Sequence, residues 1–365
     1  MDDTNNIRGN LHPVSIELLF EGMNVQEDIY DADAAMLIAK QGTMLGKGDI
    51  EMIKSLNTGR EIIYVSSSTQ KILMERRPKL ENLSIREVEE TTGYTEIKDD
   101  TFTLLDEIAA TKTVKQEDLL SISASLSNRL EVTSPSVILS LINALAPVDE
   151  YLQRHCVNVG LLNGLFGQWI GLNKNEVDKL VLVGLLHDCG KAMVPPTVLN
   201  SPRKLTIVEF EVIKMHPVFS YELLKDFPEP VRRAARCHHE KVNGRGYPDR
   251  YERDNIPMEA RITAISDIYD AMVSQRAYKN GKSPFSTMAM LQRLSETDVD
   301  SRLVSIFIKS MPCELIDKAV VMSDGSIGIV KAFYPDDIEH PAIDIDGHII
   351  KSNDSLYCSS MYNAE

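Results

Sequence analysis

Apolar residues recur every three or four positions from about residue 101 to about 312, and this long helical stretch dominates the chain. TFTLLDEIAATK, QEDLLSISASLSNRL and SPSVILSLINAL each show the spacing. Ser134 or Ser136 is placed to cap the third of these, with Pro135 near its first turn. DEYLQRHCVNVGLLNGLFGQWIG (149–171) follows, with Leu152, His155, Val159, Leu162 and Phe166 on one face. NKNEVDKLVLVGLLHDCGK (173–191) reads as a helix, apolar through most of its second half, that ends on His187 and Asp188 with Gly190 as a stop. LTIVEFEVIKMHPVFSYELLK (205–225) opens with Thr206 and Glu209 in capping-box register, and Pro217 should kink or interrupt it. EPVRRAARCHHE (229–240) ends on two histidines, NGRGYP (243–248) is a tight loop, and MEARITAISDIYDAMVSQRAY (258–278) is a long helix.

The pattern changes at both ends. Residues 22–45 have short apolar runs broken by an acidic DAD turn, which predicts a hairpin of short strands. Residues 49–59 carry Ile50, Ile53 and Leu56 at helical spacing and stop on Gly59, and EIIYV (61–65) reads as a strand. His12 is read as a solvated loop residue. At the other end, KAVVMSDGSIGIVKAF (318–333) is a hairpin around Asp-Gly, and AIDIDGHII (342–350) alternates and turns on a second Asp-Gly. His340 and His348 are read as solvated turn residues. The expected fold is mainly α: an all-helical domain over 105–312, a small mixed α/β accessory module over 1–66, a linker over 67–104 and a short β-rich extension over 313–365.

Composition narrows the partners. The chain is 43% hydrophobic and 25% charged, an ordinary globular balance, and its formal net charge is −15. That charge argues against DNA and against anionic lipid as partners. It leaves room for a small anionic substrate if the site carries its own cations. VLVGLL (181–186) is too short to span a bilayer, and MDDTNNIRGN has no signal-peptide core, so a cytoplasmic location is expected. The five cysteines are odd in number, widely spread and contain no CxxC pair, so neither a disulfide framework nor a structural zinc site is expected.

Candidate chemistry is concentrated between His155 and Asp270. A histidine on the buried stripe of a helix, taken alone, reads as a core residue with a satisfied hydrogen bond, and the residues downstream of His155 change that. His155, His187, Asp188, His216, His238, His239 and Asp267 fall on five separate predicted helices. Imidazole and carboxylate without thiolate suit iron, manganese, nickel or zinc better than calcium or magnesium. Seven ligands suit two divalent ions, with Asp188 able to bridge them through its two oxygens. Two ions so held would clamp a phosphodiester and supply a nucleophilic water at neutral pH. Lys191 lies one turn past His187, within reach of a phosphate oxygen or a leaving oxygen, so Asp188 and Lys191 are the expected catalytic pair. Arg276 and Lys279 can hold phosphate or a guanine edge, and Asp270 can accept from guanine N–H groups. Cys189 and Cys237 are read as small packing residues.

These motifs carry a family resemblance. HDCGK (187–191) resembles the HD-domain signature of metal-dependent phosphohydrolases. Together with VPPTVLNSPRKLTIVEFEVIKMHP, HHEKVNGRGYP and RITAISDIYDAM it resembles the HD-GYP subfamily over roughly 105–312. The resemblance implies hydrolysis of cyclic di-GMP through pGpG to GMP at a di- or trinuclear iron or manganese centre, with cobalt also admissible. It implies the seven ligands above, and Lys191, Asp270, Arg276 and Lys279 at the substrate, beside a loop wall of Gly246, Tyr247 and Pro248. Residues 1–66 are similar to the module often fused ahead of such domains.

Three departures stand out. Tyr151 occupies the position where members with three metals carry Glu, which favours two ions. Asn243 stands where Asp is usual. Asp249, Arg250 and Tyr251 replace the usual residues after Gly-Tyr-Pro. The alternatives are hydrolysis of cyclic GMP-AMP or another nucleotide, and a non-hydrolytic binding module. In the latter the GYP loop would dock a diguanylate cyclase. A second copy of the chain is the other protein partner this reading allows.

Overall fold

Fourteen consecutive residues, Arg154 to Gly167, are buried on every side of one helix, so this helix is the axis of its compact unit rather than a surface element. In the computed structural model the described residues are 11–15, 24–26, 28–30, 37–55, 62–66, 93–143, 151–199, 201, 203–274, 282–334 and 336–362. They divide into two compact units, Met1–Asn82 with Lys309–Ile316, and Leu83–Ile308 with Asp317–Glu365.

In the first unit, β1 (Leu11–Ser15) pairs antiparallel with β4 (Ile62–Ser66), and β2 (Ile29–Tyr30) with β3 (Leu37–Ala39). Helix α1 (Lys47–Ser55) follows β3. Val25, Ile29, Ala39, Leu45 and Ile53 form a small core against which Ile38 and Ile50 pack. The expected hairpin, helix and strand are all present. The DAD turn, Leu56 and Gly59 lie outside the described residues. His12 is on strand β1, opposite Val65, rather than in a loop.

The second unit is mainly α. Its helices are α2 (Tyr94–Thr111), α3 (Gln116–Val132), α4 (Pro135–Ile142), the axial α5 (Tyr151–Trp169) and α6 (Lys174–Leu186). After a short 3-10 turn at Cys189–Met193 come α7 (Pro196–Leu199), α8 (Ile207–Ile213), α9 (His216–Leu223), α10 (Glu229–Cys237), α11 (Met258–Val273), α12 (Pro284–Leu294) and α13 (Ser301–Ser310). Phe166, Trp169, Phe307 and Tyr269 stack edge to face and tilted at the heart of the core, with centroids 5.3 to 6.1 Å apart.

Residues 94–104, read from the sequence as linker, are the first half of α2. Tyr94, Ile97, Thr101, Leu104 and Ile108 form its buried stripe, which the intervening charges obscure in the sequence. Residues 67–92 lie outside the described residues. A five-stranded antiparallel sheet in the order β8-β7-β6-β5-β9 packs on α12 through β7. Its strands are β5 (Ala319–Met322), β6 (Ile327–Tyr334), β7 (Asp337–Ile345), β8 (His348–Lys351) and β9 (Cys358–Met361). Both Asp-Gly turns are hairpins, with Asp346 at φ 51 and Gly347 at φ 84 in the second. His340 sits within β7, 2.7 Å from Asp337 Oδ1 and 3.3 Å from Asp354 Oδ1, and not in a turn; His348 opens β8 and is exposed.

Candidate metal centre

Helices α5 and α6 cross where Gly160 meets Gly184: a Cβ on Gly184 would collide with the backbone of Gly160. The crossing brings His155, five residues before Gly160, beside His187, three residues after Gly184. Their Nε2 atoms are 3.3 Å apart. An Asn173–Glu176 capping box starts α6, and His187 caps its other end, which leaves Asp188 just beyond the last turn.

His216 arrives from a different device. The helical pattern of 205–225 is broken in two: the Thr206–Glu209 capping box starts α8, which ends at Ile213, and α9 starts at His216 with Pro217 in its first turn. Ser220, on α9, accepts from Gly190 N–H at 2.9 Å and donates to the His187 carbonyl at 2.9 Å, fastening α9 to the end of α6. His238 and His239 follow the last turn of α10, and Asp267 projects from α11.

These elements bring together all seven residues singled out in the sequence. Asp188, 3% exposed, is at the centre. Its Oδ2 is 3.3 Å from His187 Nε2 and 3.5 Å from His155 Nε2. Its Oδ1 is 3.1 Å from His216 Nε2 and 3.8 Å from His238 Nε2. Asp267 spans the same two sides, 3.2 Å from His155 Nε2 through Oδ1 and 3.9 Å from His239 Nδ1 through Oδ2. Three overlapping sets meet ligand-cluster geometry, with donor atoms within 4.8 Å of one another: Asp188, His216, His238 and His239; His155, His187 and Asp188; His187, His238 and Asp267.

The hydrogen bonds around the cluster fix which nitrogen carries the proton in four of its five rings. His187, His216 and His238 donate from Nδ1 to the carbonyls of Gly184, Ile213 and Ala235, each at 2.7 Å. A carbonyl can only accept, so Nδ1 is protonated and Nε2 presents a lone pair inward. His155 does the same against a carboxylate, with Nδ1 2.7 Å from Asp270 Oδ2. Lone pairs then face each other at 3.3 Å in two places, His155–His187 and His216–His238. Asp188 Oδ1 is buried with no hydrogen-bond donor. A cation satisfies the facing lone pairs and the orphaned oxygen together, so the donor set fits a metal centre.

With no ion bound, burial and neighbouring groups set the protonation of the site. Burial, reinforced by the neighbouring His239, His187 and His216, holds His238 well below the usual histidine range. Burial pushes His239 down to about 3 against the opposing pull of Asp267. Burial would raise Asp188, but Lys191, His187 and His155 outweigh it and hold the carboxyl well below its usual range. Asp267 is lowered in the same way, burial being overcome by His155, His239 and His187. Lys191 Nζ is ion-paired with Asp188 Oδ2. Burial pushes the thiols of Cys156, Cys189 and Cys237 up to about 12, as suits packing residues.

The loop after the histidine pair forms one wall. Gly246 lies so close to Glu240 and Lys241 that a Cβ would strike their backbone. The Tyr247 ring stacks on His239 with centroids 4.8 Å apart, Lys214 Nζ lies 5.5 Å above that ring, and the Tyr247–Pro248 bond is cis. The residues that depart from the family pattern have structural partners. Asp249 is forked by Arg236 at 2.6 and 2.7 Å and donates its N–H to Glu240 at 2.6 Å. Tyr251 N–H donates to the other Glu240 oxygen at 3.1 Å. Asn243 donates its amide to Asp298 Oδ1 at 3.1 Å, a place where an Asp would meet another carboxylate.

Asp270 is the one described residue found away from its expected place at the substrate. It is fully buried, holding His155 Nδ1 with one oxygen and accepting from Asn158 Nδ2 at 2.7 Å with the other. One helical turn from Asp267, it shares that side of α11 but lies deeper. Arg276 and Lys279 lie outside the described residues. Asn158, Ser220 and Glu240 are organising residues that the sequence reading missed. Asn158 left one signal, an amide inside an otherwise apolar run.

Residues 140–303 match the HD domain family. Over 227 residues the chain is 33% identical to the cyclic di-GMP phosphodiesterase PA4108 of Pseudomonas aeruginosa, covering 60% of this chain and 53% of that one. Over 186 residues it is 33% identical to the cyclic di-GMP phosphodiesterase response regulator RpfG of Xanthomonas campestris, covering 50% and 49%. Over 155 residues it is 33% identical to the 3'3'-cGAMP-specific phosphodiesterase 2 of Vibrio cholerae, covering 41% and 30%. Bd1817, an HDG"Y"P protein of Bdellovibrio bacteriovorus, has a similar fold: TM-score 0.51 at 14% identity, covering 83% of this chain and 99% of that one. The chain therefore contains an HD domain. Its Gly-Tyr-Pro loop, Gly246 to Pro248, lies within the matched residues. The matches to the first two relatives span about half of their lengths. Among the described residues no helix is long and apolar enough to cross a membrane.

Proposed function

We propose that the protein is a metal-dependent phosphodiesterase that hydrolyses cyclic di-GMP to pGpG or GMP. One observation carries the reading: the Asp188 carboxylate turns one oxygen toward His155 and His187 and the other toward His216 and His238. That arrangement suits two divalent ions sharing a bridging carboxylate, with Asp267 and His239 completing the set. Imidazole-rich, thiolate-free ligands favour iron or manganese. When bound, such ions neutralise phosphate charge and acidify water at the site.

The chain's own groups do the rest. Nδ1 hydrogen bonds hold the imidazoles of His155, His187, His216 and His238 with their lone pairs inward. Lys191, tethered to Asp188, is placed to exchange that partner for a phosphate oxygen and to hold a proton for the leaving oxygen. Gly246, Tyr247 and Pro248 wall the site, and Arg276 and Lys279 are assigned to the substrate phosphates or bases. A second reading, hydrolysis of 3'3'-cGAMP, rests on the Vibrio cholerae relative being as similar, at 33%, as the first two. One or two pocket residues can decide guanine against adenine.

The test is elemental analysis of anaerobically purified protein, paired with turnover of both dinucleotides by the same sample. About two iron or manganese ions per chain, turnover of cyclic di-GMP and loss of both in His187→Ala are the expected results. Faster turnover of 3'3'-cGAMP moves the assignment to the second reading. Turnover that survives complete metal stripping overturns both.

A further inference from the structure

Behind His155 runs a chain of buried hydrogen bonds that the ligand geometry alone does not require. Asp270 Oδ2 holds His155 Nδ1 at 2.7 Å. Asn158, one turn after His155 on α5, donates Nδ2 to Asp270 Oδ1 at 2.7 Å. Tyr94 donates its hydroxyl to Asn158 Oδ1 at 2.6 Å. Every member is at most 3% exposed. The three links join α11, α5 and the first residue of α2.

Each link fixes the next. The tyrosine hydroxyl occupies the Asn158 oxygen, which orients the amide with its nitrogen toward Asp270. The amide and Ser274 Oγ, 3.2 Å away, occupy Asp270 Oδ1 and leave Oδ2 for the imidazole. The ring that starts the chain is itself held, with the Arg154 guanidinium 5.1 Å over its face and the same guanidinium donating to the Leu141 carbonyl at 3.1 Å.

We propose that Tyr94, acting through Asn158 and Asp270, is a positioning residue that sets the orientation and basicity of His155 toward the metal. The inference rests on metal binding by His155 and not on the identity of the substrate. Outer partners of this kind typically change metal affinity by about 10- to 100-fold. Coupling of this sort is reciprocal, so metal binding tightens the first turn of α2.

The test is titration of metal-free protein with Mn2+ by calorimetry, comparing wild type, Tyr94→Phe and Tyr269→Phe. Tyr269 is the control: an equally buried tyrosine whose hydroxyl donates to Asn143 at 3.0 Å, off the path to His155. Tyr94→Phe should weaken Mn2+ binding about 10-fold or more, and Tyr269→Phe less than about 2-fold, while both lower the melting temperature of the metal-free protein. Hydrogen exchange gives a second readout: Mn2+ should slow exchange of the amides of Ile97 and Lys98 in wild type and not in Tyr94→Phe. Equal weakening by the two variants, or unchanged affinity and exchange in Tyr94→Phe, overturns this inference alone. A wild-type chain that takes up no Mn2+, Fe2+ or Co2+ overturns it together with the proposed function.

Discussion

Taking a carboxylate out of water costs several kcal/mol unless opposite charge replaces the lost solvent. Asp188 faces four imidazole nitrogens that point lone pairs at it and one ammonium, Lys191. Without metal the site is held by protonation equilibria, and these have a sign. Burial lowers His239 to about 3 and His238 well below its usual range, so the folded chain binds fewer protons than the unfolded one below about pH 6.5. The stability that neutral His238 and His239 preserve is complete above that pH and is lost progressively as pH falls toward about 3. The urea midpoint of metal-stripped protein should therefore fall steadily from pH 7 to pH 5. An unchanged midpoint would contradict the assignment of neutral imidazoles. At this scale the ligand residues are legible in the sequence because His and Asp are conspicuous against apolar runs. The depth of Asp270 is not legible: spacing gives the side of α11, not how far the neighbouring helix encroaches. Tyr94 hides among the charges of GYTEIKDD.

The ligands are spread over the body (His155, Asp267), the start (His216) and the end (His187, Asp188, His238, His239) of five helices, so the placement of whole elements matters more than any one contact. The α5–α6 crossing is the most sensitive point. Gly184→Ala forces a methyl into the Gly160 backbone, and such overpacking costs about 1–3 kcal/mol. His155 and His187 lie within five residues of the crossing, so the variant should lose metal as well as stability. Denaturant titration and elemental analysis check this; a destabilised variant with full metal content would separate the crossing from the centre. The sequence shows that Gly160 and Gly184 are small, but not that they face each other. Capping boxes are more readable, because they act within four residues: the expected Thr206–Glu209 box has its hydrogen bonds, and the Asn173–Glu176 box, not read from the sequence, has the same local form. Strand β9 went unread because CSSM has only its two ends buried and no alternation.

Across the molecule, the mainly helical class was readable from periodicity, and both Asp-Gly hairpins from turn chemistry. The grouping of Lys309–Ile316 with the first unit was not, since it depends on contacts between residues distant in sequence. The ligands come from or directly follow α5, α6, α9, α10 and α11, so bound metal ties five helices of the second unit together. A ligand at 1,000 times its dissociation constant adds about 4 kcal/mol to the folded state. Chelation should accordingly lower the melting temperature of that unit by several degrees, and added Mn2+ should restore it. Scanning calorimetry of the full chain with and without chelator measures the shift, and a melting temperature indifferent to metal would argue against five-helix ligation.

The linear order of those helices has a consequence for biosynthesis. Asp270 is made 115 residues after His155, the ring it holds, and at 5–20 residues per second that delay is about 6 to 23 seconds. During it the nascent chain already contains His155, His187, Asp188 and the later histidines, but not the carboxylate that fixes the first ring's tautomer. Until Asp270 has been added, His155 has no carboxylate behind it, so the pocket can be completed only after that residue is made.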